Sequence, residues 1–364
     1  MNVQFFPSRR IAFYMARLFV MRSLAVLAAL VVILMTLDLL GESGDILAVE
    51  GNSQSDLWRY VGLRIPQLIE RFLPFSVLLG TLITLATLNQ NSEIVSMKAA
   101  GISAHQIIAP LMVASIFIAA FSFVFNERIV TRATAALNAW TAVEYGEVPP
   151  ETGILTNVWV RHEDDLFFAR QVSGRGADTR LSGVSVYDRS GGTLEAVLTA
   201  DSARPEGGAW RLDRVTRFDV ASAERSEEAS LRVGEGVDPI QFTLARVNPD
   251  EQDFWMLRES IAALKVAGRP TAGLEANLWH KISGPLSSLL MPLLAAVAAF
   301  GLARSGQLFV RAVIGMGLGF AYFVADNFAL AMGNFGAYPP LLAAWGPFAL
   351  FLLIGEAVLI RTEE

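Results

Sequence analysis

Residues 73–103 read LPFSVLLGTLITLATLNQNSEIVSMKAAGIS, and the two halves of this stretch demand different surroundings. From Leu73 to Leu88 no charged side chain occurs, whereas Asn89 to Ser103 gathers amides, hydroxyls, Glu93 and Lys98 into a segment too short to fold alone. A second apolar run follows from residue 104 to 125. An apolar run of this length crosses ~30 Å of hydrocarbon as a helix, so the polar stretch is a turn at a membrane surface between two spans. Glu93 suits the positive end of a helix dipole, with Asn91 or Ser92 as N-cap and Gly101 at the left-handed position after the last turn. Ser103-Ala104-His105-Gln106 fits a capping box that opens the next span. The turn is therefore read as a stiff helix of one to two turns, held at both ends by spans, with Glu93, Met97 and Ala100 on one face.

The rest of the chain repeats the contrast. Of 364 residues, 53% are hydrophobic and 18% charged, and the mean hydropathy is +0.44. That is too apolar for an ordinary soluble protein. Six spans are expected near residues 21–40, 66–88, 104–125, 281–302, 309–332 and 340–360, the second preceded by an interfacial helix bearing Arg59, Arg64, Glu70 and Arg71. Arg9, Arg10, Arg17, Arg22, Lys98, Arg304, Arg311 and Arg361 all fall at one side, while the loops GESGDILAVEGNSQSD and GNFGAYPP carry neither Lys nor Arg. The positive-inside rule then puts both termini in the cytoplasm and residues 126–277 outside.

That outer segment reads as a separate domain. Runs such as ILTNVWVRH, DLFFARQV, LSGVSVYDR, LEAVLTADSA, WRLDRVTRFDV and ASLRV are separated by Gly, Asp and Ser turn signals, which predicts an antiparallel β-sandwich or open jelly roll. The segment DFWMLRESIAALKVAG returns to the bilayer as a helix. The expected fold is a polytopic α-helical membrane protein with six transmembrane helices in a 3+3 layout and an inserted antiparallel, jelly-roll-like β domain. Its divisions are 1–125, 126–277 and 278–364.

Several chemistries lack their residues. The only lysines, Lys98, Lys265 and Lys281, follow Met97, Leu264 and His280, so no Gly-Lys phosphate loop exists. Cysteine is absent, the three histidines lack zinc-like spacing, and no G-x-S-x-G elbow occurs. No catalytic or metal-ligating set is expected. A net charge of −6 argues against a nucleic-acid partner.

The stretch at 73–103, FNERIV at 125–130, KISGPLSSLLMPLLAAVAAFG at 281–301 and GFAYFVADNFALAMGNFGAYPPLLAAWGP at 319–347 resemble, in order and spacing, the LptF/LptG permeases of lipopolysaccharide export. The likeness covers nearly the whole chain, and IPQLIERFLPFSVLLG at 65–80 is closer to the LptG branch. The resemblance implies a Gram-negative inner-membrane permease with its β domain in the periplasm. It would pair with an LptF-type permease on an LptB-type ATPase dimer, with an LptC-type bitopic protein alongside and lipopolysaccharide as substrate. The chain would hold no cofactor, ATP and magnesium being bound by the partner ATPase. Residues 91–101 then become the coupling helix, with Glu93, Met97, Lys98, Ala100 and Gly101 toward the ATPase. Lys98 stands where the family often has Arg.

Lipid A phosphates call for basic side chains, and Arg59, Arg64, Arg128 and Arg132 are candidates near the outer leaflet, with Arg311 matching a basic position that opens the family's fifth span. Interfacial arginines also snorkel to headgroups without binding substrate. Where some relatives have lysines near the outer end of the first span, this chain has Asp38. An ion-coupled secondary transporter built on Asp326 is the rival reading, although the sequence suggests no second intramembrane acid or histidine to relay with it. A membrane scaffold is the other, and it would not require the capped turn.

Overall fold

The computed structural model describes residues 8–148, 155–162, 164–174, 176–190, 192–243, 247–266, 268–300 and 308–361. Two compact units emerge, one spanning Met1–Val148, Pro249–Leu257 and Ala272–Glu364, the other Pro149–Asn248 and Arg258–Thr271.

The first unit is helical. It opens with α1 (Arg9–Ala48), α2 (Gln54–Gln90), the short α3 (Glu93–Ala99), α4 (Ala104–Phe125), a π-helical turn (Asn126–Val130) and α5 (Thr131–Thr141). Among the described residues, six helices are long and apolar enough to cross a membrane. Three are expected spans that prove longer than their apolar runs. The first reaches from residue 9 to 48 and the second from 54 to 90, so the second has no separate interfacial helix. The third continues without a break to Thr141, because no Gly or Pro interrupts residues 126–141. Hydropathy detects the hydrocarbon-facing portion of a helix, whereas backbone hydrogen bonding carries the helix on through polar residues that suit the interface.

Buried positions on α1 recur every fourth residue, at Met15, Phe19, Ser23, Leu27, Val31 and Met35, one stripe laid against α2. Contact is close where Gly80 of α2 meets Ser23, since a β-carbon on Gly80 would stand 2.7 Å from the Ser23 backbone. Small residues let membrane helices approach in this way. Other large apolar side chains of α1, Phe13, Leu24, Val32 and Leu37 among them, are exposed, whereas Ile46 is buried.

The second unit is built on β1 (Leu155–His162), β2 (Asp165–Ser173), β3 (Arg180–Ser190), β4 (Thr193–Glu206), β5 (Ala209–Asp219) and β6 (Arg225–Val233). The described strands form one six-stranded antiparallel sheet in chain order rather than two stacked sheets. Gly207 and Gly208 both take positive φ, which makes the β4–β5 connection the two-residue turn that fits strand twist. One face buries Val160, Phe167, Val186, Leu198, Trp210 and Leu212, covered by Phe242 of the short α6 (Ile240–Thr243). The Trp210 indole donates to the Val237 carbonyl at 2.9 Å.

The helix α7 (Phe254–Val266) follows, then α8 (Ala272–Phe300), α9 (Leu308–Asn334) and α10 (Pro340–Arg361). The expected division at 126 and 277 therefore differs from the observed one. The π turn and α5 belong with the helices because Leu137 and Trp140 are buried in the cluster that also holds Tyr60 and Leu68 of α2. Residues 249–257 and 272–277 belong there too.

Candidate functional site

The turn after α2 folds as the short α3, capped at its C-terminal end. Ile102 N–H bonds the Met97 carbonyl at 3.1 Å and Gly101 N–H that of Lys98 at 2.9 Å, with Gly101 at φ +82°, so the helix ends in a Schellman motif. Ser103 and Gln106 form the reciprocal capping box that starts α4. The start departs from expectation. Ser92 takes the N-cap position in a left-handed conformation, φ +61°, and makes no side-chain capping bond.

The predicted face also divides. Met97 is buried in the helical core beside Ile94, so it anchors α3 rather than presenting it. The i, i+4 spacing placed Met97 beside Glu93 but could not say which side of the face would turn inward. Lys98, Ala100 and Gly101 are exposed, as is Val95 at 59%, a position the pattern did not single out. Glu93 is half-buried and accepts from the Tyr14 hydroxyl at 3.3 Å, so the start of α1 leans on the turn.

The candidate arginines scatter. Arg64 is bound to Asp38 through a fork of two 3.0 Å bonds and donates to Gln67 at 2.7 Å, while Tyr60 donates to the same Asp38 at 2.7 Å. Its charge is neutralised within the chain by Asp38. Arg59 lies 4.5 Å above the Trp140 ring, a cation–π contact. Arg128 on the π turn and Arg132 on α5 are exposed. Arg311 falls in the opening turn of α9, and its side chain lies outside the described residues, as does Arg304.

A polar belt that the sequence did not reveal runs through the helical unit. Asn126 donates to Glu70 of α2. Its neighbour Glu127 faces Lys281 of α8 at 3.8 Å and accepts the backbone N–H of Phe254 at 2.6 Å. Next to Lys281, His280 lies 2.9 Å from Asp326 of α9. The expectation that Asp326 has no histidine to relay with is thereby corrected. The partner was hidden because it lies on a different span, 46 residues away. Glu127 and Lys281 are each about nine-tenths buried, and charges so placed in a bilayer persist only when paired. Beside the belt lies a cavity of about 390 Å3 whose walls include Arg71, Phe75, Asn126, Lys281, Tyr322 and Asp326. FNERIV was the available signal, three polar residues where a span should end.

Among the described residues, six helices long and apolar enough to cross a membrane, split three and three along the chain by an antiparallel sheet and carrying a charged belt, define a polytopic membrane protein. The family model for the lipopolysaccharide export system permease LptF/LptG matches residues 13–361, and the chain belongs to that family. Among curated relatives, the lipopolysaccharide export system permease protein LptG of Escherichia coli K12 is 28% identical over 309 residues, covering 83% of this chain and 84% of that protein. The LptG of Haemophilus influenzae is 27% identical over 355 residues, covering 93% and 97%.

Proposed function

We propose that this chain is the LptG-type permease subunit of an ATP-driven exporter, which extracts lipopolysaccharide from the inner membrane and hands it to a periplasmic bridge. The family match along 13–361 carries the reading. It is supported by α3, a short helix capped at its C-terminal end, with an exposed surface of Val95, Lys98, Ala100 and Gly101 suited to a groove on another subunit. The ATP and magnesium are held by an LptB-type ATPase dimer, an LptF-type permease completes the membrane core, and an LptC-type protein adds its helix. Both termini lie in the cytoplasm and the sheet lies in the periplasm, where its edge strands continue the route for acyl chains. Arg59, Arg128, Arg132 and Arg311 remain the candidates for phosphate contact, and Arg71 joins them because it is exposed and lines the cavity. Arg64 is a weaker candidate, being already paired.

The test is reconstitution. Co-expressed with an LptB-type ATPase and an LptF-type permease in proteoliposomes, the chain is expected to co-purify stoichiometrically and to release lipopolysaccharide only with ATP. Full release without nucleotide, or ATP hydrolysis by the chain purified free of partners, overturns the reading.

A further inference from the structure

Side chains of the π turn at Asn126–Val130 reach α2, the start of α7 and α8. An extra residue in a helical turn changes which side chains face inward, and such turns gather at functional sites. Here two consecutive residues both point into the unit, Asn126 to Glu70 and Glu127 to Lys281 and Phe254. The Glu127 carboxylate divides its work. Oε2 accepts the amide that opens α7, and Oε1, itself buried without a hydrogen bond, faces the Lys281 ammonium. Phe254 is the first residue of α7, the helix through which the chain comes back from the sheet toward α8. A carboxylate on the first amide of a helix is a charge-assisted contact at the positive end of its dipole.

We infer that Glu127 is a positioning residue for export, one carboxylate that holds both the first turn of α7 and Lys281 of α8 to the π turn at the end of α4. The cavity that Asn126 and Lys281 line carries further charged groups. Glu70 and Arg71 come from α2, Asp250 from the segment before α7, His280 from α8 and Asp326 from α9. Glu70 is bonded to Asn126 and Asp326 to His280. Among the bonds described for the Phe254 amide, Glu127 is the acceptor. The export role rests on the reading above, whereas the hold on α7 does not.

Hydrogen exchange on the purified full chain in nanodiscs tests the hold. Glu127→Ala is expected to speed exchange at Phe254 and the turn behind it at least about tenfold, the loss of one charged hydrogen bond. Glu127→Gln, which retains an acceptor, should stay within about threefold of wild type. Exchange unchanged in Glu127→Ala overturns the inference. Release assays in the assembled complex test the role. Glu127→Ala should lower the maximal release rate with little change in the lipid concentration at half-maximum. The neutral pair Glu127→Gln/Lys281→Gln should restore that rate, and it keeps the test open where Glu127→Ala does not fold. Normal release by a Glu127→Ala chain whose α7 amide is unprotected overturns the role, and so does failed release by the neutral pair with that amide still protected. If wild-type chain releases no lipid with any ATPase, the export reading fails, while the exchange result still judges the hold.

Discussion

His280 Nε2 and Asp326 Oδ2 stand 2.9 Å apart, joining α8 to α9 within the helical unit. Their side chains are about three-quarters and seven-eighths buried, so removing one partner leaves a polar group without its bond. Asp326→Leu is expected to cost about 1.5–3 kcal/mol. The double variant His280→Leu/Asp326→Leu should cost less than the two single losses summed. Denaturant titration of the four chains in detergent measures this, and strict additivity would mean the pair contributes nothing as a pair.

At Gly80, α2 packs tightly against Ser23 of α1. Gly80→Ala forces a β-carbon toward the Ser23 backbone, 2.7 Å away, and should cost about 1–3 kcal/mol through strain. Gly317→Ala is the control, since a β-carbon added there would meet nothing within 4 Å. A thermal-shift series on the two variants should show a loss for the first and none for the second.

At α3, the export reading makes Glu93 and Val95 part of a subunit interface. Glu93→Lys and Val95→Asp are each expected to weaken association with the ATPase by about 2–5 kcal/mol, with membrane insertion intact because the turn lies outside the spans. Glu93→Gln should do less. A solvated turn would tolerate all three within about 0.5 kcal/mol, so normal co-purification of Glu93→Lys removes the coupling role.

Within the sheet, Trp210 is 1% exposed and donates to the Val237 carbonyl. Trp210→Ala should destabilise the unit by about 3–5 kcal/mol, read as faster proteolysis between residues 155 and 243. Trp210→Phe retains most of the packing and loses the hydrogen bond, so its effect should be clearly smaller.

The β5–β6 turn carries a pH dependence of its own. Asp219 accepts from the amides of Ala221 and Ser222 and from the Ser222 hydroxyl, and these bonds hold its carboxyl below the ordinary 3.8. A lowered value in the folded state means the contribution is full above that ordinary value and is lost as pH falls through the folded one. Exchange at Ala221 and Ser222 should therefore differ between wild type and Asp219→Ala at pH 6, and the difference should shrink at strongly acidic pH.

Hydropathy and turn chemistry in the sequence were enough to determine the six spans, the inserted antiparallel β unit, the Gly101 end of α3 and the Ser103–Gln106 box. These features depend on neighbours in the chain, and periodicity and capping are local. Tertiary structure alone decided the rest. It turned Met97 inward, paired Arg64 with Asp38, and continued the third span through Asn126 and Glu127 to Thr141. It also assembled the belt from Glu70, Asn126, Glu127, His280, Lys281 and Asp326. Each of those residues reads alone as an isolated polar residue in or beside a span. Only packing brings acid to base across helices distant in sequence, and in a bilayer that pairing is what allows the charges to be there.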